Sequence, residues 1–200
     1  RGRLAEAFRT PDDDVLVLAG SGTAGFEAAL VSSVPAGSAL LALQAGKFGE
    51  RWGDMAQSLG YRVLRLSAAV GSDFDMQALA SRLRAVPDLA AVTLVHSETS
   101  TGVLHDVAAV AAAVRAERPD ALVLVDAVTS LAAAELRPRE WGLDAVVSGS
   151  QKGVMTPPGL AFVWLSERAW SRAPGRGPGS YYLDLHRERP RQRHGETAYT

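Results

Sequence analysis

Short apolar runs rich in valine and leucine recur along the chain, each closed by a polar or glycine turn and followed by a longer segment with helical spacing. The runs are VLVLA at 15–19, SALLAL at 38–43, RVLRL at 62–66, AVTLV at 91–95, ALVLVD at 121–126, DAVVS at 144–148 and LAFVWL at 160–165. Their length and aliphatic content predict strands. Between them, FEAALVSSV at 26–34, FGERWGDMAQSLG at 48–60, MQALASRLRAV at 76–86 and VAAVAAAVRAERP at 107–119 carry apolar residues three and four apart, which predicts helices. Strands that are apolar nearly throughout and alternate with helices are covered on both faces. The expected fold class is therefore α/β: a mostly parallel sheet with helices on both faces, in three α/β/α layers.

The two ends depart from this alternation. The chain opens on RGRLAEAF, which reads as part of a helix. APGRGPGS at 173–180 reads as a linker, and HRERPRQRH at 186–194 is a basic stretch without apolar period, expected as solvated surface. The expected organisation is one domain over 1–172, then a linker and the start of a further segment over 173–200, the whole being a piece of a longer protein.

With 200 residues, 47% of them hydrophobic, the chain can bury a substantial core. A formal net charge of -1 gives no electrostatic reason to expect nucleic acid or an anionic membrane as partner. No apolar run approaches the roughly 18 residues of a spanning helix, and no signal-peptide pattern is visible, so a cytoplasmic protein is expected. The absence of cysteine excludes disulfides, thiolate metal sites and a cysteine nucleophile from this stretch, and no metal site is expected. Composition changes the picture at one point: among 21 basic residues only Lys47 and Lys152 are lysines. A lysine kept against an arginine bias points to chemistry a guanidinium cannot do, because only a primary amine can lose its proton and condense with a carbonyl. Two leftover surface lysines are the competing reading.

In open α/β sheets ligands bind beyond the carboxyl ends of the strands. Gly20-Ser21-Gly22-Thr23-Ala24-Gly25 follows the first strand and leads into a helix, so backbone N–H groups, hydroxyls and the positive helix end converge where a phosphate can bind. The same residues fit G-x-G-x-x-G, but a nicotinamide site wants an acid at the end of the next strand, which ends instead in Gln44-Ala45-Gly46. A plain tight turn competes with both. Further along, His96-Ser97-Glu98-Thr99-Ser100-Thr101-Gly102 is dense in hydroxyls, ALVLV ends on Asp126, and DAVV is followed by Ser148-Gly149-Ser150-Gln151-Lys152. Each feature alone has a structural explanation, a helix cap or a capping turn. Together they set a phosphate cradle, a carboxylate and a rare lysine at one edge of one sheet.

That set matches what pyridoxal phosphate takes from a protein: a lysine amine, a carboxylate to hold the ring nitrogen protonated, and a helix N-terminus for the phosphate. A lysine so placed, its pKa lowered by a neighbouring cation and by desolvation, serves as nucleophile and as base.

The segments GSGTAGFEAAL, AGKFGERWGDMA, HSETSTGVLHD, VDAVTSLAA, WGLDAVVSGSQKGVMTPPGLAFV and SERAW resemble, in order and spacing over about residues 15–172, the class V aminotransferases, the group that includes alanine–glyoxylate and serine–glyoxylate aminotransferases. The resemblance implies a pyridoxal-phosphate-dependent transferase large domain and assigns roles. Lys152 matches the Schiff-base lysine, Asp126 the partner of the ring nitrogen, and Phe48 the aromatic that stacks on the ring. Ser21, Gly22, Thr23 and Gln151 match phosphate-binding positions, Thr99 the hydroxyl near the ring oxygen, and Val128 the packing on the opposite face. Thr200 matches a threonine that reaches the phosphate of the neighbouring subunit, which implies a homodimer with shared sites. From the residues alone Phe48 reads rather as a core aromatic, as do Trp52, Trp141 and Trp164; Lys47 reads as a loop cation and His96 and His105 as structural. The implied activity moves an amino group from a small amino acid of alanine or serine type to a 2-oxo acid such as glyoxylate. A catalytically incomplete fragment of the fold, an aminoethylphosphonate or ureidoglycine aminotransferase, and a cysteine desulfurase-like enzyme are the alternatives; the last fits less well because Gln151 stands where those enzymes carry a histidine.

Overall fold

The computed structural model describes residues 2–10, 15–172 and 180–198. In chain order the principal elements are α1 (Gly2–Phe8), β1 (Val15–Ala19), α2 (Gly22–Ser33), β2 (Ala39–Gln44), α3 (Lys47–Ser58), β3 (Arg62–Ser67), α4 (Met76–Arg84), β4 (Leu89–Val95), β5 (Ser97–Glu98), β6 (Val103–Leu104), α5 (Val107–Glu117), β7 (Leu122–Asp126), β8 (Ala145–Gly149), β9 (Leu160–Leu165), α6 (Glu167–Arg172) and α7 (Leu185–Arg193). Seven strands form one sheet in the order β1-β9-β8-β7-β4-β2-β3, while β5 and β6 make a separate small hairpin. The pairs β3–β2, β2–β4, β4–β7 and β7–β8 are parallel; β9 runs antiparallel to both β8 and β1. The expected α/β sandwich with a mostly parallel sheet is the fold observed.

Two apolar clusters cover the sheet. Phe8, Leu79, Leu83, Val107, Val110 and Val114 bring α1, α4 and α5 onto one face. Phe26, Leu30, Trp52, Ala56, Ala169 and Leu185 bring α2, α3, α6 and α7 onto the other. Burying a leucine or phenylalanine side chain is worth roughly 1.5–3 kcal/mol, so these clusters supply most of the drive to fold. Trp52 and Trp164 are buried core residues, as expected, and Trp141 packs half-buried against the core. The helices lie close to the sheet where glycine removes the side chain: a Cβ on Gly25 would stand 2.7 Å from Val147 Cγ1, and one on Gly49 2.8 Å from the carbonyl of Leu43.

Two expectations require correction. The helix expected from Phe26, α2, begins at Gly22, so the glycine-rich turn is itself the helix start. Periodicity missed this because Gly22, Thr23, Ala24 and Gly25 carry no large apolar side chain to mark a face. The basic stretch at 186–194 is solvated only on one side: Arg187, Arg191 and Arg193 are exposed, but the stretch forms α7, capped by Asp184, whose carboxylate accepts from the His186 N–H at 2.9 Å. Leu185, Glu188 and Gln192 are buried, and Gln192 pairs with the outer side of β1, donating Nε2–H to the Val17 carbonyl at 2.5 Å and accepting the Val17 N–H at 2.9 Å. A side-chain amide thus occupies the hydrogen-bonding places of a neighbouring strand at a sheet edge, where unpaired backbone would otherwise stand.

Candidate functional site

The segments beyond the carboxyl ends of β1, β2, β4, β7 and β8 surround one cavity. Ser21, Gly22 and Thr23 line it from α2, Phe48 and Arg51 from α3, Ser97 from the β4–β5 corner, Asp126, Val128 and Thr129 from the end of β7, and Gln151 and Lys152 from the turn after β8. Of the residues expected at the site, eight therefore meet around one space: Ser21, Gly22, Thr23, Phe48, Asp126, Val128, Gln151 and Lys152. Thr99 stands exposed on the turn of the β5–β6 hairpin and does not line the cavity; Ser97 does. Thr200 lies outside the described residues.

Each side is built by local geometry. Ser21 occupies the N-cap of α2 in an extended conformation, its hydroxyl makes no capping bond, and the first-turn N–H groups have no intrahelical acceptor. The helix end approaches the β7 loop because residue 22 has no side chain: a Cβ there would stand 2.6 Å from Val128 Cγ2. At the β8 turn, Lys152 holds a left-handed backbone at φ 69°, an uncommon conformation for a non-glycine residue. The turn closes on itself through Met155 N–H to the Lys152 carbonyl at 3.0 Å and Thr156 N–H to the Ser150 carbonyl at 3.0 Å. It lies so close to the β7 loop that a Cβ on Gly153 would be 2.2 Å from the Leu131 carbonyl. Gln151 Oε1 is buried with no hydrogen-bond partner among the described residues.

Asp126 sets the electrostatics. It is 4% exposed. Its Oδ1 accepts the Val128 N–H at 2.8 Å, and no described cation lies at ion-pair distance. Burial pushes its pKa up to about 7; the Val128 hydrogen bond opposes this, the charge of Glu98 adds to it, and the charge of Arg51 opposes it. The indole N–H of Trp52 bears on the same carboxyl and lowers it slightly, yet meets no acceptor at hydrogen-bonding distance. A buried carboxyl with a single neutral hydrogen-bond partner, facing a cavity, can receive a cationic or N–H-bearing ligand group.

Sequence reasoning missed Arg51 and Glu98. Arg51 lies one helical turn beyond Phe48, its guanidinium 5.0 Å from the centre of the Phe48 ring; the three-residue spacing on α3 was the available signal. Glu98 is fully buried behind the cavity wall and left no signal in spacing. His96 and His105 are structural as expected. His105 Nδ1 meets Asp73 Oδ1 at 2.7 Å, and burial lowers the His96 pKa to about 4, so its ring stays neutral. Among the described residues no helix is long and apolar enough to cross a membrane.

Comparison with known proteins agrees with this architecture. The family model "Aminotransferase class-V" matches residues 1–192. An aspartate aminotransferase of subgroup IV from Thermus thermophilus superposes with a TM-score of 0.90 and 44% identity, covering 100% of this chain and 55% of that one. The L-aspartate–glyoxylate aminotransferase of Paracoccus denitrificans is 37% identical over 83% of this chain and 42% of its own length. A protein of Synechococcus sp. named soluble hydrogenase, small subunit, is 44% identical over 86% of this chain and 45% of its own length. The chain spans about half the length of the relatives it matches. A family match over nearly the whole chain makes the chain a member of the class-V aminotransferase family.

Proposed function

We propose that residues 1–172 form the cofactor-binding large domain of a pyridoxal-phosphate-dependent aminotransferase. The observation that carries this reading is the convergence on one cavity of Lys152, the buried and cation-free Asp126, and the glycine-cleared N-terminus of α2. The fit to the cofactor rests on two needs of these residues: a buried carboxyl that lacks a cationic partner, and a helix end whose N–H donors lack acceptors.

When bound, pyridoxal phosphate supplies a carbonyl carbon for amine exchange and a ring that accepts the electron pair released at the substrate α-carbon. The chain's residues do the rest. Lys152 Nζ would hold the cofactor, and its amine, when free, would serve as the general base for the substrate α-proton. Asp126, 4% exposed, would hold the proton on the ring nitrogen, where burial strengthens the attraction between the two charges. Ser21, Gly22 and Thr23 would bind the phosphate through N–H and hydroxyl donors, and Gln151, which lines the same cavity, could add its Nε2–H donor. Phe48 and Val128 would pack against the two faces of the ring, and Ser97, rather than the exposed Thr99, is the hydroxyl that lines the cavity from the β5 side. Thr200 and a shared site in a homodimer belong to the same proposal.

The donor is a small amino acid of alanine or serine type and the acceptor a 2-oxo acid such as glyoxylate. An aspartate donor is a second reading, favoured by two relatives named for aspartate. The deciding experiment is the visible spectrum of the purified protein with pyridoxal phosphate, before and after borohydride, followed by mass spectrometry of the Lys152 peptide. A reduced adduct on Lys152, absent in Lys152→Ala, is expected; a folded protein that forms none overturns the proposal. Comparing alanine, serine and aspartate in half-reactions then identifies the donor.

A further inference from the structure

Glu98 is a fully buried carboxylate with no cation at ion-pair distance among the described residues. Its partners are all backbone or hydroxyl donors. Oε2 accepts the Phe48 N–H at 3.1 Å and the Gly49 N–H at 3.0 Å, both in the first turn of α3. Oε1 accepts the Ser100 N–H at 3.2 Å and the Ser100 hydroxyl at 2.5 Å. Ser100 Oγ in turn accepts the Lys47 N–H at 3.0 Å. The carboxylate therefore serves as N-terminal cap to α3 from some 50 residues away, using the positive helix end as its counter-charge.

The space for it is built. A Cβ on Gly46 would stand 2.3 Å from Ser100 Oγ and 2.7 Å from Glu98 Cδ, so residue 46 must lack a side chain for the carboxylate to reach the helix. A second tie runs parallel: the Thr101 hydroxyl donates to the Ala45 carbonyl at 3.1 Å. The two segments so joined both reach the cavity, α3 through Phe48 and Arg51 and the β4–β5 corner through Ser97. A structural core has no use for a buried carboxylate where a neutral cap would serve at lower desolvation cost.

We infer that Glu98 is a positioning residue for cofactor binding, whose carboxylate caps α3 and fixes the Phe48 ring against the cavity while anchoring the Ser97–Ser100 segment on the same side. This rests on the cofactor reading above. Two of its four hydrogen bonds go to the backbone of Phe48 and its neighbour, so the orientation of the ring follows the carboxylate.

The test measures pyridoxal phosphate dissociation constants and the visible circular dichroism of the bound cofactor for wild type, Glu98→Gln, Ser100→Ala, Phe48→Ala and the Glu98→Gln/Phe48→Ala double variant. Glu98→Gln keeps the volume but sets an amide NH2 against N–H donors, and is expected to weaken cofactor binding about tenfold and to diminish the dichroic band. Ser100→Ala, the milder change should Glu98→Gln not fold, is expected to weaken binding about threefold. In the Phe48→Ala background the Glu98 effect should largely vanish, since coupled residues are not additive. Wild-type affinity and dichroism in both single variants, or a Glu98 effect undiminished in the double variant, overturns the inference while leaving the cofactor reading intact. Failure of wild type itself to bind the cofactor overturns both.

Discussion

Two aspartates sit at opposite ends of neighbouring strands, Asp126 at the end of β7 and Asp144 just before β8, and both are buried, 4% and 2% exposed. Asp144 is saturated by the fold: Oδ2 accepts from Arg115 at 2.5 Å, from the Val123 N–H at 2.8 Å and from Arg168, and Oδ1 from the Ser166 hydroxyl and Arg168 Nε, each at 2.9 Å. Asp126 has one backbone N–H and a pKa pushed by burial to about 7. The difference teaches where each finds its counter-charge. Asp144 clamps α5 and α6 to the sheet and is complete without a ligand. Asp126 is left without a charged partner among the described residues, and under the proposed function a cationic ring nitrogen would supply it.

The sharpest break in this comparison is Asp126→Asn. Under the proposed function it is expected to lower transamination by about 10²–10³-fold, the scale of losing one preorganised electrostatic contact, without lowering stability to unfolding. Steady-state kinetics beside thermal unfolding checks both halves, and unchanged activity would remove Asp126 from the site.

The next largest effect is on pH dependence. A carboxyl whose folded pKa is raised from 3.8 to about 7 binds its proton more tightly folded than unfolded. Cofactor-free stability should therefore fall as pH rises from about 4 to about 7, by at most about 4 kcal/mol at 1.36 kcal/mol per unit. Denaturant unfolding of the cofactor-free protein at pH 5 and pH 8 should show the loss, and Asp126→Asn or bound cofactor should flatten it. A fall of the same size in Asp126→Asn would place the titrating group elsewhere.

Asp144→Ala should behave in the opposite way, costing stability at every pH while sparing cofactor affinity. Breaking a buried pair costs about 3–5 kcal/mol. The lower end is expected, because the arginine side chains are 26% and 35% exposed and can turn to water. Smallest is Gln192→Ala, which leaves the Val17 N–H and carbonyl unpaired at the sheet edge and should cost about 1 kcal/mol by thermal unfolding. It tests whether a neutral, satisfied amide far from both aspartates matters less than either.

Much of this contrast was legible in the chain. The strands declared themselves because their two covered faces demand aliphatic residues throughout, as in LVLVD of β7. Asp126 and Lys152 stood out because they follow such strands, where the fold places ligands. The start of α2 was hidden by its small residues, and α7 by a buried face made of Leu185 with the polar Glu188 and Gln192. Glu98 was hidden because its partners at 48 and 49 come from another crossover of the sheet.

By itself the sequence determined the fold class and pointed to the strand ends where Asp126 and Lys152 line one cavity, since these depend on local pattern and order along the chain. Only the tertiary structure decided which buried acid is paired, which is left open, and which acts as a distant helix cap. Those outcomes depend on donors and charges that segments remote in sequence bring within about 3 Å, the range at which a buried carboxylate is either satisfied or left in need.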